Sequence, residues 1–225
     1  SCTGAPPDEA EMFAPGIDGQ ALAATMVAPA IAEVGGAPVQ LIRSAQGTIE
    51  AWLCPTRDLV ADRERGVQRT VIHIGPIRYD HPLLTNWRSI ALHINAHAQL
   101  VFQITSERYD SRAVQASVAG WEAGQWRHVA CRWRLDDGGR CRMALFIDGR
   151  LASDRVTGKF EGDEAPALAK QDEPLPLQVG AMNTGAAPAQ MLVDELRVSL
   201  RPRYQADFEP PRRLQADADT SLLLR

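Results

Sequence analysis

Two stretches of the chain concentrate side chains of the types that bind sugars. Sugar sites combine aromatic faces with planar polar groups, and they are often carried by loops on a rigid scaffold. The sequence places both stretches in long connections between predicted strands, the second of which also contains Arg112. The alternative is that these side chains pack the connections onto the scaffold. We predict a ligand-binding surface made of Arg78, Tyr79, His81, Trp87, Arg88, Tyr109 and Trp121.

Acidic residues could instead point to glycoside hydrolysis, which needs two carboxyl groups about 5–10 Å apart. A Glu-x-Asp-x-x-Glu pattern on an alternating strand would supply them, and the sequence does not contain it. Asp194 and Glu195 are adjacent, so we expect them on opposite faces of a strand. Glu161, Asp163 and Glu164 fall in a predicted loop. The acidic residues therefore favour a protein without catalytic carboxylates.

Histidine, tyrosine and arginine offer a second catalytic route. Histidine can act as a base or a metal ligand near neutral pH. The segment Arg78-Tyr79-Asp80-His81 holds all three residue types in one loop, but its spacing matches no specific signature. Surface or hydrogen-bonded histidines are the simpler interpretation. It applies to all five histidines of the chain: His73, His81, His93, His97 and His128.

The four cysteines, Cys2, Cys54, Cys131 and Cys141, could form two disulfides in three pairings. Their spacing fits no zinc site. Cys131 and Cys141 fall on one predicted hairpin. A turn near residues 137–139 would place a residue near position 144 or 145 opposite Cys131, so Cys141 would lie beyond disulfide reach. We therefore expect free thiols.

Short alternating or β-branched runs, separated by Gly, Pro, Asn and Asp turns, predict many short strands and no long helix. In the first clear run, Ile49, Ala51 and Leu53 share one face. Residues 158–176 are expected to form a long surface loop. The pattern favours a two-sheet antiparallel sandwich. Strands are predicted at 48–53, 70–74, 89–94, 99–104, 126–135, 140–147, 150–152, 177–180 and 191–199, and after residue 219.

Composition limits the choice of partners. The formal charge of −4 at pH 7 gives no reason to expect nucleic acid or an anionic membrane. No apolar run approaches the roughly 18 residues that span a bilayer, and residues 1–7 show no signal-peptide pattern. The chain ends on an apolar, strand-like run, so we expect the natural polypeptide to continue.

Six segments, in order, resemble motifs of the laminin-G-like, concanavalin A-like family. They are GIDGQAL (16–22), GTIEAWLCP (47–55), GQWRHVA (124–130), LFIDG (145–149), LQVG (177–180) and VDELRVS (193–199). The tail at 217–224 resembles the family's ending. The resemblance covers residues 12–225 and implies an all-β, antiparallel two-sheet β-sandwich of the concanavalin A-like jelly-roll type.

The resemblance also implies a domain plan and a metal. A single domain is expected over 1–225, with an entry segment at 1–11 and a closing segment at 211–225. Family members often hold one structural Ca²⁺ near the sheet edge, and Asp194 matches a frequent ligand position, alongside backbone carbonyls. The alternative is that Asp194 caps a turn or pairs with Arg197. Trp52 and Trp126 are expected in or near the core, not in a ligand platform.

Three classes of function follow. The first is a glycan- or protein-binding adhesion module, flanked by other domains in a larger bacterial protein that is secreted or lies at the cell surface or envelope. The second is a polysaccharide hydrolase or lyase on the same fold. The third is a packing module without a ligand. Fold alone does not choose among them, and the missing carboxylate pattern favours the first.

Overall fold

The computed structural model of this protein describes residues 13–17, 20–23, 45–59, 68–75, 89–106, 110–137, 139–159, 177–180 and 189–225. Within these ranges all the regular secondary structure is β-strand. No helix of the described residues is long and apolar enough to cross a membrane. The strands are β1 (Phe13–Pro15), β2 (Gln20–Ala23), β3 (Gln46–Pro55), β4 (Arg69–Ile74), β5 (Ser89–Ile94), β6 (Gln99–Thr105), β7 (Ser111–Ser117), β8 (Arg127–Leu135), β9 (Arg140–Ile147), β10 (Arg150–Lys159), β11 (Leu177–Val179), β12 (Met191–Ser199) and β13 (Thr220–Leu224).

These strands form two sheets whose neighbouring strands are antiparallel. The eight-stranded sheet has the order β1-β2-β12-β3-β8-β9-β10, with β13 paired to β12. The five-stranded sheet has the order β11-β4-β5-β6-β7. The predicted fold class, an antiparallel two-sheet β-sandwich, is confirmed.

One hydrophobic core draws its side chains from both sheets. In β3, Ile49, Ala51 and Leu53 face this core, as their alternation predicts. Phe102 of the five-stranded sheet meets Trp133 of the eight-stranded sheet, with ring centroids 6.0 Å apart. Burying side chains of this size contributes about 1.5–3 kcal/mol each, so this contact helps to hold the two sheets together.

The register of the β8–β9 hairpin confirms the prediction for its cysteines. Cys131 lies opposite Leu145, and Cys141 lies opposite Leu135. Cys54, Cys131 and Cys141 are buried free thiols, and burial raises the pKa of Cys54 and of Cys141, the latter to about 12. These thiols are therefore protonated at neutral pH. Cys2 lies outside the described residues.

Two predictions about strands are wrong. Arg112 was expected in a long connection but lies within β7, whose Ser, Arg, Ala and Gln residues give a weak β signal. β10 was expected to end at Ala152, but it continues to Lys159. It is an edge strand with mostly exposed side chains, so its sequence lacks the apolar alternation that marks a half-buried strand.

A segment that follows β12 crosses the outer face of the eight-stranded sheet; we call residues 200–219 the C-terminal strap. Tyr204 and Phe208 of the strap stack at 3.6 Å and pack on Phe146. The backbone N–H of Phe208 donates to the carbonyl oxygen of Gly149 at 2.8 Å. Trp52, half-buried in β3, donates from Nε1 to the carbonyl oxygen of Pro211 at 3.1 Å. The strap thus covers part of this sheet that would otherwise face solvent.

Candidate functional site

Two connections that were predicted to carry ligand residues begin and end at neighbouring strands of the five-stranded sheet. One connection joins the end of β4 to the start of β5, and the other joins the end of β6 to the start of β7. Ile74 pairs with Ile90, Ser89 with Thr105, and Thr105 with Ser111. Both connections therefore attach at the same end of the five-stranded sheet.

Most of the predicted ligand residues lie on these two connections. Arg78, Tyr79, His81, Trp87 and Arg88 belong to the first connection, outside the described residues. Tyr109 belongs to the second and also lies outside them, so the prediction for these six side chains stays a prediction. The ends of the second connection are fixed. The N–H of Ser106 donates to the carbonyl oxygen of Asp110 at 2.9 Å, and the N–H of Asp110 donates to Ser106 Oγ at 3.2 Å.

Trp121 does not join this group. It follows the opposite end of β7 from Tyr109, is 7% exposed, and packs in the core between the sheets. Its backbone N–H donates to the carbonyl oxygen of Val118 at 3.0 Å. The structure therefore places Trp121 away from the shared end of the sheet. Trp126 is half-buried, in line with a position near the core.

The outer face of β6 and β7 carries exposed or half-buried uncharged polar side chains, beside the buried Val101 and Thr105. Phe102, Ile104 and Val114 face the core, so alternate residues of both strands face outward. We call the outward polar side chains the glutamine face. It consists of Gln99, Gln103, Ser111, Gln115 and Ser117, all exposed or half-buried.

Hydrogen bonds organise one end of the glutamine face. Gln103 Nε2 donates to Thr105 Oγ1 at 3.0 Å and to Ser111 Oγ at 3.1 Å, and these two hydroxyl oxygens lie 3.0 Å apart. Gln115 is exposed and lies opposite Val101. Amide and hydroxyl groups both donate and accept hydrogen bonds, so this surface suits a ligand rich in hydroxyl groups.

The same outer face is buried on β4 and β5. His73 and His93 are 1% and 6% exposed. Burial lowers the pKa of His93 to about 4, so this imidazole is neutral at pH 7. Its Nδ1 makes no hydrogen bond to the described residues. The accessible part of the face therefore lies on β6 and β7.

Asp194 caps the turn between β1 and β2. Its Oδ2 accepts the backbone N–H of Ile17 at 2.9 Å, and its Oδ1 accepts the N–H of Glu195 at 2.8 Å. The alternative pairing with Arg197 is wrong, because Arg197 binds Glu50 instead. Within the described ranges, no group of three or more His, Cys, Asp or Glu could hold a metal. A calcium ion at Asp194 would therefore need further oxygen ligands, such as backbone carbonyls, and calcium stays a prediction.

A buried cluster around Glu50 was not predicted from the sequence. Glu50 is 1% exposed on the outer face of β3. Its Oε1 accepts hydrogen bonds from Arg197 Nε at 2.8 Å and Nη2 at 2.6 Å, and its Oε2 accepts the Tyr204 hydroxyl at 2.6 Å. His128 Nε2 lies 3.4 Å from Oε2. The cluster joins three strands to the C-terminal strap.

The electrostatics of this cluster keep Glu50 ionised. Burial alone would raise the pKa of Glu50, but His128, the charge of Arg197 and the Tyr204 hydroxyl outweigh it and hold the pKa below its usual range. Burial, together with the nearby Glu50 carboxylate, raises the pKa of Tyr204. Because the cluster is largely shielded from solvent and Glu50, Arg197 and Tyr204 hydrogen-bond to one another, we assign it to fixing the strap and not to binding a ligand.

The sequence contains a pattern that could have predicted this cluster. Glu50, His128 and Arg197 each stand in one of the family-like motifs, GTIEAW, WRHVA and DELR. Each is a polar residue next to an apolar residue of its strand. Buried polar groups are almost always hydrogen-bonded, so three such residues on strands of one sheet indicate a shared network.

Comparison with known proteins identifies the family. Residues 32–207 match the family model described as "Concanavalin A-like lectin/glucanases superfamily", of the Laminin_G_3 type. A search of the curated proteins finds no match.

Several solved structures are similar at low identity. The receptor binding domain of botulinum neurotoxin D is 11% identical, with a TM-score of 0.48; the match covers 71% of this chain and 34% of that one. The Ruminococcus gnavus IT-sialidase CBM40 bound to alpha2,3 sialyllactose is 13% identical, with a TM-score of 0.42 and coverage of 66% and 75%. A SAP-like pentraxin from Limulus polyphemus is 13% identical, with a TM-score of 0.45 and coverage of 71% and 65%. This chain spans about a third of the length of the botulinum neurotoxin domain.

Proposed function

This chain belongs to the concanavalin A-like lectin/glucanase superfamily, and from that premise we propose that it is a non-catalytic recognition module for an uncharged glycan. The glutamine face is the proposed floor of the site, and side chains of the two connections that hold Arg78–Arg88 and Tyr109 are the proposed further ligand contacts. The observation that carries the proposal is that both connections attach at the end of the sheet that carries Gln103 and Ser111.

The chemistry of the floor supports a hydroxylated ligand. Its described side chains are amides and hydroxyls, which bind sugar hydroxyl groups by hydrogen bonds. Aromatic residues in the connections would supply the flat apolar faces on which sugar rings stack. Neutral groups also avoid the desolvation penalty that burying a charge under a ligand incurs.

The test is binding on an array of uncharged glycans, with Gln115→Ala and Tyr109→Ala as variants. Gln125→Ala is the matched control, because Gln125 is exposed and lies outside the glutamine face. We expect the wild-type protein and the control to bind one class of glycan equally, and each site variant to lose about tenfold in affinity, the loss of one or two hydrogen bonds or a stacking contact. Clean negatives for the wild-type protein would overturn the glycan proposal and favour a protein ligand or a packing role.

Calcium is a separate part of the proposal. Asp194 would supply one carboxylate ligand beside the turn that it caps, and backbone carbonyls would supply most of the others. We expect added calcium to raise the melting temperature by mass action, chelator to reverse this rise, and Asp194→Asn to abolish it. An unchanged melting temperature at millimolar calcium would contradict the calcium site without affecting the glycan proposal.

The cellular setting completes the proposal. A glycan-binding module of this kind would act outside the cell or in the cell envelope, as one part of a larger bacterial protein. Immunodetection of the endogenous protein in culture medium, envelope and cytoplasmic fractions tests this. Recovery in the cytoplasmic fraction alone would contradict it.

A further inference from the structure

Four basic side chains meet on the outer face of the eight-stranded sheet. Arg134 of β8 lies directly opposite Arg142 of β9, and Arg140 of β9 lies directly opposite Lys159 of β10. Trp133, Cys141 and Met143, which alternate with these arginines, are buried in the core. Since side chains alternate across a strand, the arginines face outward. We call Arg134, Arg140, Arg142 and Lys159 the basic corner.

The basic corner is open to solvent, and its charges are not neutralised by ion pairs. All four side chains are exposed. Among the described residues none of them forms a salt bridge, whereas arginines elsewhere pair with aspartates. These arginine–aspartate pairs are Arg112–Asp110, Arg127–Asp148, Arg150–Asp207, Arg201–Asp219 and Arg203–Asp217.

The neighbouring acidic groups offset the corner only in part. Asp136 and Asp137 lie in the turn beyond the strand ends, where Asp136 Oδ1 accepts the backbone N–H of Arg140 at 2.9 Å. Ala144 of β9 lies between Asp154 of β10 and Arg132 of β8. Asp154 therefore offsets the charge of Arg132, which lies next to the basic corner. The C-terminal strap crosses the sheet at Thr48. Thr48 lies opposite Arg132, which is two residues along β8 from Arg134.

Like charges directly opposite each other on neighbouring strands destabilise a sheet. Two such pairs side by side are therefore unfavourable for folding. An anionic ligand with several charges would relieve both repulsions at once. We propose that the basic corner binds an acidic polysaccharide through its carboxylate or sulfate groups.

The spacing and chemistry of the corner favour a polysaccharide over a nucleic acid. Neighbouring strands lie about 4.8 Å apart, and alternate residues along a strand about 6.8 Å, so the four cations form a compact array. Arginine binds a planar carboxylate or a sulfate with two parallel hydrogen bonds. Single-stranded nucleic acids are held by stacking on exposed aromatic rings, and Phe146, beneath the neighbouring Arg132, and Trp133, next to Arg134 in β8, are both buried. This site is distinct from the glutamine face, which lies on the other sheet.

The experiment measures binding of dextran sulfate and of oligogalacturonate, with uncharged dextran as the reference ligand. The variant is Arg134→Gln/Arg142→Gln. The matched control is Arg150→Gln/Arg212→Gln, which removes the same charge from exposed positions outside the corner. We expect the wild-type protein to bind at least one acidic polymer and not dextran. The corner variant should lose at least about tenfold in affinity, and its slope of log affinity against log salt concentration should be shallower by about two. The affinity of the control should stay within about twofold of the wild-type value.

Three outcomes would overturn the proposal. The wild-type protein could bind neither acidic polymer at 50 mM salt. The corner and control variants could lose affinity equally, which would indicate a non-specific charge effect. A single-stranded oligonucleotide of equal charge could bind more tightly than both polymers, which would assign the corner to nucleic acid. The corner variant should keep wild-type binding to uncharged glycans, so failure here and failure of the proposed function are separable.

Discussion

Arg197 donates two hydrogen bonds to one oxygen of Glu50, at 2.8 and 2.6 Å, although 147 residues separate the two in sequence. Glu50 also accepts the hydroxyl of Tyr204 from the C-terminal strap. This pair therefore links the central strands of the eight-stranded sheet to the segment that covers them. Its burial makes it sensitive to the loss of either partner.

Glu50→Gln is expected to lower the free energy of unfolding by about 3–5 kcal/mol, because it leaves the buried Arg197 without a compensating charge. Urea unfolding at pH 7 measures this. Asp219→Asn is the control, since its pair with Arg201 is largely exposed and such pairs contribute about 0.2–1 kcal/mol. Equal effects of the two substitutions would show that the Glu50 cluster does not stabilise the fold.

His93 should make the protein less stable in mild acid. Its pKa is about 4 in the folded protein, below its ordinary value of 6.5, so the unfolded chain binds the extra proton first. The contribution of neutral His93 to the free energy of unfolding is complete above pH 6.5. It is lost as the pH falls towards 4, by an amount on the order of 3 kcal/mol. Unfolding of His93→Leu across this range should show a flatter pH dependence than the wild-type protein.

The control for His93 is His97→Gln, an exposed histidine in the turn between β5 and β6. It should leave the pH dependence as in the wild-type protein. If His93→Leu keeps the full wild-type dependence, another group is responsible for the acid sensitivity.

Gly149→Ala is expected to destabilise the protein strongly. Gly149 has a φ of 73°, and an added Cβ would overlap the carbonyl oxygen of Phe208 in the strap. Backbone strain at such a position costs about 1–3 kcal/mol, and the overlap would also displace the strap. Thermal unfolding measures the loss. Gly120→Ala, where an added Cβ meets nothing within 4 Å, should change the melting temperature little.

Arg142→Glu should stabilise the fold while weakening the proposed acidic-polysaccharide site. It turns the like-charge pair with Arg134 into a pair of opposite charges, worth about 0.2–1 kcal/mol across strands. Urea unfolding and dextran sulfate binding, measured on the same sample, test both effects. A loss of stability would contradict the repulsion on which this argument depends.

Local patterns were sufficient to predict most of the fold. Alternation and turn residues mark β5 (Ser89–Ile94) and β12 (Met191–Ser199) at their observed ends. The turn between β8 and β9 fixed the register well enough to exclude a disulfide between Cys131 and Cys141. These features depend on residues close in sequence, so a single sequence carries them.

The failures have one physical reason. β7 and the second half of β10 contain few apolar residues, because one is an edge strand of the five-stranded sheet and the other an edge strand of the eight-stranded sheet. An edge strand can expose much of its surface, so tertiary pairing and not composition makes it a strand. The same limit applies to Trp121, whose residue type fits a sugar platform but whose position is in the core.

The sequence by itself determined the all-β sandwich, the main strands and the two connections that could bind a ligand, because hydrophobic alternation and turn chemistry are local. Only the tertiary structure decided which polar residues meet. Glu50 with Arg197, and Arg134 with Arg142, become neighbours through strand pairing. Pairing depends on how distant strands choose their neighbours and register, and that choice is made by the packed core as a whole.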